Sequence, residues 1–206
     1  DNDQNIMFLR ELRKYYDKVL VTFGNHDYFL LNSNQKQRYN LNSFNRIEEI
    51  KKEFENQNEG IHILDGDIIE YKNKKFLGIP LWYDNSYAIE ICHLHSSHVH
   101  LLWKQWMPDA RFIFTDLWYP KFDWMNFCKS QKEILENKIN GIDVIFTHVS
   151  PDWSNLKKCY EKSNTSTFFH FDGREILKTC KGKTWIFGHT HEYYDYFTES
   201  GCHMLC

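Results

Sequence analysis

Hydrophobic and polar residues follow one another in a pattern that predicts short buried strands separated by amphipathic helices. Helical spacing of apolar side chains predicts helices at 5–16, 46–57, 124–139 and 172–180. Apolar runs predict strands at 18–23, 74–82, 142–148 and 183–191, with two more strands inside 61–71 and two closing strands, YYDYF and CHMLC. This alternation predicts an α/β fold with helices outside the sheets.

The middle of the chain has a different pattern. Asp65-Gly66 lies between two apolar runs and predicts a hairpin turn. Residues 84–120 are aromatic and rich in histidine, without clear periodicity, and are predicted to be irregular. Because no linker rich in Pro, Gly or Ser divides the chain, we predict a single domain over residues 1–206.

Composition narrows the class of protein only a little. The chain has 206 residues and a net charge of −3, so no overall basic field would steer nucleic acid. No stretch reaches the ~20 apolar residues of a membrane span, so we expect no membrane partner. None of the six cysteines forms a Cys-x-x-Cys pair. We therefore expect free thiols in a reducing compartment, and a cytoplasmic location.

Three predicted strands end in polar residues of one chemical type. Strand 18–23 runs into Gly24-Asn25-His26-Asp27, strand 142–148 ends in Thr147-His148, and strand 183–191 ends in Gly188-His189-Thr190-His191. Because sites in layered α/β folds gather where strands end, we expect these side chains to converge. Imidazoles and amide or carboxylate oxygens suit Mn, Fe, Zn or Co. Gly24 and Gly188 are expected to allow sharp turns and close approach to a ligand.

The three motifs, in this order, resemble those of the calcineurin-like metallophosphoesterases, and GIPLW at 78–82 and THVSP at 147–151 fit as well. The resemblance covers essentially the whole chain. It implies a four-layer α/β/β/α sandwich with mixed sheets, and hydrolysis of a phosphomonoester or phosphodiester. It also implies that residues 82–124 form a cap or insert that shapes the substrate pocket.

The resemblance assigns a role to each motif residue. Asn25, His148 and His189 would bind one metal of a dinuclear pair, and His191 the other. The metals would be two divalent ions, Mn, Fe or Zn, with Mn favoured. His26 would donate a proton to the leaving oxygen, and Asp27 would orient that imidazole.

Two motifs of the family have no counterpart here. No Asp-x-His occurs in the sequence, and GDIIE at 66–70 follows the Asn-His motif instead of preceding it. We interpret Asp67 as a turn residue and assign neither Asp1 nor Asp3 as a ligand. The chain also begins without methionine. We therefore expect the fold to be truncated at its N-terminus and the natural protein to be longer at both ends.

Several alternatives stay open. The run HLHSSHVH, with His93, His95, His98 and His100, is either an auxiliary metal site or, as we favour, an exposed loop or capping helix. Nearby tryptophans are either base-stacking residues or, as we favour, packing residues; they are Trp82, Trp103, Trp106, Trp118 and Trp124. A nucleotide or nucleic acid substrate is possible, but no motif indicates it. The alternative function is a non-catalytic binding module or inactive fragment, and an unrelated histidine-rich zinc protein is a third possibility.

Overall fold

The computed structural model describes residues 2–55, 59–115 and 122–206 of the chain. Its helices are α1 (Asn2–Arg13), α2 (Ser33–Arg38), α3 (Ser43–Glu55), α4 (Ser86–Glu90), α5 (Ser96–Trp106), α6 (Asp109–Phe112), α7 (Trp124–Lys138) and α8 (Arg174–Leu177). Its strands are β1 (Val19–Val21), β2 (Ile61–Ile63), β3 (Asp67–Tyr71), β4 (Lys74–Ile79), β5 (Val144–Thr147), β6 (Thr184–Ile186), β7 (Asp195–Phe197) and β8 (His203–Leu205).

The strands form two sheets, and helices pack against both. In the small sheet β1 pairs with β2 in parallel. The large sheet has the order β3-β4-β5-β6-β8-β7, with its four central strands parallel and both edge strands antiparallel. Helices α1 and α3 contact the small sheet, and α7 contacts β4. This arrangement is the mixed α/β architecture that the motifs imply.

Helix α7 shows how the sequence pattern produces one outer layer. The Asp123 side chain caps the helix by accepting the backbone N–H of Asn126 at 3.1 Å. Cys128 and Leu135, seven residues apart, are buried together on the inner face. The Cys128 thiol donates to the Trp82 carbonyl, which ties the helix to the chain just after β4.

The prediction of a hairpin turn at Asp65-Gly66 is wrong. The Leu64 N–H bonds to the Val21 carbonyl in the small sheet, whereas the Gly66 N–H bonds to the Gly78 carbonyl in the large sheet. The chain therefore crosses between the sheets here, and the Asp67 carboxylate accepts the Asp65 N–H as a turn residue does. The true hairpin joins β3 to β4.

That hairpin turns through Lys72 and Asn73. Both residues have left-handed backbone angles, with φ of 50° and 59°. Two consecutive positive φ values are the mark of a type I′ turn, which matches the natural twist of paired strands. The sequence prediction missed the turn because lysine at the first position gives little turn signal.

The prediction of irregular structure for 84–120 is also wrong where the structure describes this segment, because it forms α4, α5 and α6. Trp82, Trp103 and Trp124 are buried, as the packing interpretation predicted, whereas Trp106 is 59% exposed. Trp118 lies outside the described residues.

The prediction of free thiols is confirmed, since all six cysteines are free. In the described ranges, no helix is both long enough and apolar enough to cross a bilayer.

Candidate active site

The ends of β1, β5 and β6 bring three predicted ligands into contact. The Oδ1 atom of Asn25 lies 2.9 Å from Nε2 of His148. The imidazole of His148 lies against that of His189, with ring centroids 4.6 Å apart. Asn25 and His148 are 123 residues apart in the chain, and His189 lies further on, so only the meeting of the strand ends brings the three together.

A buried network fixes the amide of Asn25. Its Nδ2 donates to Oδ1 of Asp109 at 2.8 Å. The other Asp109 oxygen accepts the Tyr83 hydroxyl, whose oxygen accepts the indole N–H of Trp103 at 2.8 Å. Because Nδ2 is held by a carboxylate, Oδ1 must face His148. Burial raises the pKa of Asp109, opposed by its hydrogen bonds to Tyr83 and Asn25.

Sequence reasoning missed this network. Asp109 follows Met107-Pro108 in a segment without strong periodicity, and Tyr83 follows a predicted strand as one of many aromatics. A buried carboxylate beside an aromatic segment produces no sequence pattern by which it could be recognised. Only the close approach of α6 to the turn after β1 reveals the pair.

The glycine before Asn25 is required by packing. A methyl group at Gly24 would lie 2.7 Å from Cε1 of His148, so a larger residue would push the imidazole away. A methyl group at Gly188 would meet only the His148 carbonyl, at 3.7 Å, so protein packing does not require glycine there, and its close approach to a ligand stays a prediction. Neither glycine has a positive φ.

The sharp turn after β6 is made by the histidines themselves. His189 and His191 have φ of 66° and 54°, in the left-handed region that non-glycine residues rarely adopt. Nε2 of His189 bonds to the Phe168 carbonyl at 3.0 Å, which fixes the ring. Strained backbone of this kind is found most often at functional sites.

Burial keeps both central imidazoles neutral. It lowers the pKa of His148 well below its usual value, and neighbouring histidines add to the effect. It also lowers the pKa of His189 to about 4, against the bond to Phe168. A neutral imidazole offers a nitrogen lone pair to a metal ion, whereas a protonated one does not.

His26 and Asp27 lie on the short 3-10 helix Asn25–Tyr28. The imidazole of His26 packs against Phe29, with centroids 4.7 Å apart, and is exposed to the cleft. The Asp27 carboxylate accepts the Gly24 N–H at 2.8 Å and the Asn5 amide at 3.5 Å, so it holds the turn that carries His26. Burial raises the pKa of Asp27, and the Gly24 bond opposes this.

These side chains line an open cleft of about 560 Å³. His191 is exposed and lines it. Trp106, Met107 and Pro108, from the predicted insert, line it together with the residues of the turn after β1. The lining therefore combines apolar with polar side chains, a common arrangement for ligand sites.

The donor set suits one divalent transition metal. Two neutral imidazoles and an amide oxygen meet at one point, and such ligands suit Mn, Fe, Zn or Co. The carboxylates of Asp27 and Asp109 are occupied by other partners. Within residues 2–55, 59–115 and 122–206, no three His, Cys, Asp or Glu side chains come together as a metal-binding group.

The histidine-rich run does not form such a group either. His95 caps α5, with Nδ1 accepting the Ser97 N–H at 3.3 Å. His100 stacks on Trp103, with ring centroids 5.9 Å apart, and His93 lies in a turn with φ of 54°. His93, His95 and His98 are exposed in the loop before α5 and in its first turn, which fits the interpretation of the run as an exposed loop or capping helix.

Sequence comparison is consistent with this geometry. The chain matches the calcineurin-like phosphoesterase family over residues 2–193. Because the match covers nearly the whole chain, the chain belongs to the calcineurin-like phosphoesterase family.

Two individual similarities add context. An uncharacterized protein of Acanthamoeba polyphaga mimivirus is 27% identical over 196 residues, which are 89% of this chain and 65% of that protein. The chain therefore spans about two thirds of the length of that relative. The crystal structure of phosphopantetheinyl hydrolase from Mycobacterium tuberculosis superposes with a TM-score of 0.67 at 14% identity, over 96% of this chain and 71% of the other. At that identity the likeness shows the fold alone.

Proposed function

We propose that this chain hydrolyses a phosphomonoester or phosphodiester with two divalent metal ions, and that the contact between Asn25, His148 and His189 forms one half of the metal centre. That contact carries the proposal, because it offers neutral nitrogens and a fixed amide oxygen at the base of a cleft. A purely structural cluster would not need unprotonated imidazoles next to strained backbone.

Each motif residue has a defined task in this proposal. Asn25, His148 and His189 hold one ion, and His191 takes part in holding the second. When bound, divalent ions neutralise the phosphate charge and lower the pKa of a coordinated water. The exposed imidazole of His26 donates a proton to the leaving oxygen. Asp27 keeps the turn of His26 in place through the Gly24 N–H.

The test is manganese-dependent hydrolysis of phenyl phosphate and diphenyl phosphate by the purified protein, because the phenolate leaving group of these esters, unlike an activated nitrophenolate, benefits from protonation. His26→Ala should lower kcat at least about a hundredfold, since a positioned general acid contributes about that much. His98→Ala, which changes an exposed histidine of α5, is the matched control and should keep the wild-type rate. Unchanged turnover in His26→Ala would contradict the acid role.

One observation favours a second function, a non-catalytic metal-binding module. Among the described residues, the carboxylate at the Asn25 cluster, Asp109, is already bound to the Asn25 amide and the Tyr83 hydroxyl, and no group of three His, Cys, Asp or Glu side chains suited to a metal is present. Calorimetric titration with Mn²⁺ separates the two functions. Tight Mn²⁺ binding without cleavage of either ester would support the binding module, and binding with cleavage would support the enzyme.

A further inference from the structure

Trp106 is an exposed tryptophan that the proposed reaction does not use. It is 59% exposed, whereas Trp82, Trp103 and Trp124 are at most 4% exposed. A single exposed aromatic residue is common on protein surfaces, but this one lines the candidate active-site cleft. Its place there calls for an explanation.

Core packing does not explain a tryptophan at this position. Trp103 and Met107, four residues apart, lie on the buried face of this segment, and Trp106 is outside that face. Its neighbours Lys104 and Gln105 are exposed as well. A polar residue of that kind at position 106 would leave the core unchanged.

The backbone that carries Trp106 is anchored on both sides. Three residues earlier, the Trp103 indole donates to the hydroxyl oxygen of Tyr83 at 2.8 Å. Three residues later, Asp109 accepts the Asn25 amide at 2.8 Å and also the Tyr83 hydroxyl. Trp106, the last residue of α5, therefore has a fixed place relative to the turn after β1.

Phe169 also lines the cleft but already has a ring partner. Its ring lies against the imidazole of His189, with centroids 4.9 Å apart, so it supports a proposed metal ligand. No such contact to Trp106 is formed within residues 2–55, 59–115 and 122–206. Both faces of its indole are thus without an aromatic partner from the described chain.

The cleft offers no unpaired charge to the organic part of a substrate. Among the described residues that line it there is no Lys or Arg, and the carboxylate of Asp27 is bonded to the Gly24 N–H and the Asn5 amide. A second phosphate or a carboxylate would find no side-chain cation. The volume of about 560 Å³ lies in the range of pockets that hold drug-sized ligands.

We propose that Trp106 stacks on an uncharged aromatic ring in the organic group of the phosphoester, and so makes the protein prefer aromatic over saturated esters. Stacked rings attract each other by more than the apolar area that they bury. The inference rests on the proposed phosphohydrolase function and adds the substrate class.

The test compares benzyl phosphate with cyclohexylmethyl phosphate, and the methyl diester of each. Both leaving groups are primary alcohols of similar size, so the comparison reports on the flat ring and not on leaving-group reactivity. With Mn²⁺, we expect kcat/KM to favour the benzyl ester about fivefold. A wild-type ratio of one or less would overturn the proposal.

Variants assign the preference to one side chain. Trp106→Leu and Trp106→Gln should each lower the benzyl-to-cyclohexylmethyl ratio to about one. Trp106→Phe, which keeps a ring but loses the indole N–H, should retain most of it. Leu101→Ala is the control, because Leu101 is 62% exposed on the same helix and should leave the ratio unchanged.

Circular dichroism checks that each variant is folded. If Trp106→Leu does not fold, Trp106→Gln carries the same test, and the wild-type ratio stands independently of both. A wild-type ratio in the folded Leu or Gln variant would contradict the assignment to Trp106. A ratio near one in Trp106→Phe would mean that the indole N–H, and not stacking, makes the preference.

A binding measurement separates this inference from the proposed function. If the protein cleaves both esters equally well, the phosphohydrolase stands and the stacking falls. If it cleaves neither, the phosphohydrolase falls, and calorimetry with Mn²⁺ and two uncleavable ligands, benzylphosphonate and cyclohexylmethylphosphonate, decides the stacking. Binding of benzylphosphonate about fivefold tighter, with the difference lost in Trp106→Leu, would support it. Equal binding of the two, or no binding, would overturn it.

Discussion

The turn after β1 and the turn after β6 carry histidines to the same cleft but are held in different ways. Side chains from distant segments hold the first turn. Asp109 binds the Asn25 amide at 2.8 Å, and the Arg46 guanidinium donates to the Phe29 carbonyl at 2.5 Å. The second turn is shaped mainly by its own backbone, with positive φ at His189 and His191.

This difference predicts which substitutions should disturb the geometry of each turn. The first turn depends on residues up to 84 positions away, so remote substitutions should disturb it. The second turn depends on local conformation, and its geometry should resist remote changes. Sequence motifs alone make the turns look alike, since each is a glycine followed by a ligand candidate.

The largest expected effect is a difference in activity between alanine substitutions at the two glycines. Gly24→Ala would place a methyl group 2.7 Å from Cε1 of His148, and displacing that ring should lower manganese-dependent kcat/KM about a hundredfold. Gly188→Ala meets only the His148 carbonyl at 3.7 Å and should keep activity within about threefold. Steady-state kinetics on both variants tests this, and equal losses would show that the turns do not differ.

The second prediction concerns pH, because the two turns should respond to acid in opposite directions. The folded-state pKa of His189 is lowered to about 4, so its contribution to stability is present above the unfolded value near 6.5 and is lost as pH falls toward 4. At pH 5 the loss is about 2 kcal/mol. The pKa of Asp27 is raised, so acid favours the first turn.

Hydrogen exchange on the metal-free protein measures this. Between pH 7 and pH 5, peptides covering 186–192 should lose protection, after correction for intrinsic rates, while peptides covering 22–30 should keep theirs. The control is the same experiment with Mn²⁺ in excess, which should reduce the loss, since a bound ion needs the neutral ring. If residues 22–30 lost protection before residues 186–192 as the pH falls, the predicted difference between the two turns would be contradicted.

The sequence predicted those parts of the fold that depend on local periodicity. Helix α7 and strands β5 and β6 follow directly from apolar spacing. The ends of β5 and β6 meet because these strands are parallel neighbours in the large sheet, whereas the end of β1 comes to the same place from the small sheet. The crossing between sheets at Gly66 could not be predicted, because Asp-Gly fits a hairpin equally well. The choice is made by long-range pairing, in which Leu64 bonds to Val21 and Gly66 to Gly78.

The sequence predicted only the motif residues of the candidate site. Asn25, His148 and His189 lie in recognisable motifs, whereas Asp109 and Tyr83 lie in none. The importance of this pair comes from burial and from the hydrogen bonds that hold the Asn25 amide. Those properties arise from packing between segments far apart in sequence, which a single sequence does not record.

The third prediction tests the remote support of the first turn. Asp109→Asn removes one of the two oxygens that accept from Asn25 and Tyr83, so one of these bonds must be lost. We expect manganese affinity to fall about tenfold, as for other residues that orient metal ligands. Calorimetry with Mn²⁺ measures the change. Asp123→Asn, which keeps the cap of α7, is the matched control, and an equal loss there would contradict the remote support.

The smallest effect concerns the local strain of the second turn. His191→Gly should relieve the strain of a φ of 54° and raise the free energy of unfolding by less than about 1 kcal/mol, because glycine adopts this conformation freely but also gains entropy when unfolded. Lys162→Gly, at a φ of 64°, should give a similar gain. Urea denaturation of the metal-free variants measures both. Only His191→Gly should weaken Mn²⁺ binding, since only that residue belongs to the proposed centre. A loss of stability in His191→Gly alone would mean that its imidazole supports the turn, and the second turn would then depend on side chains as the first does.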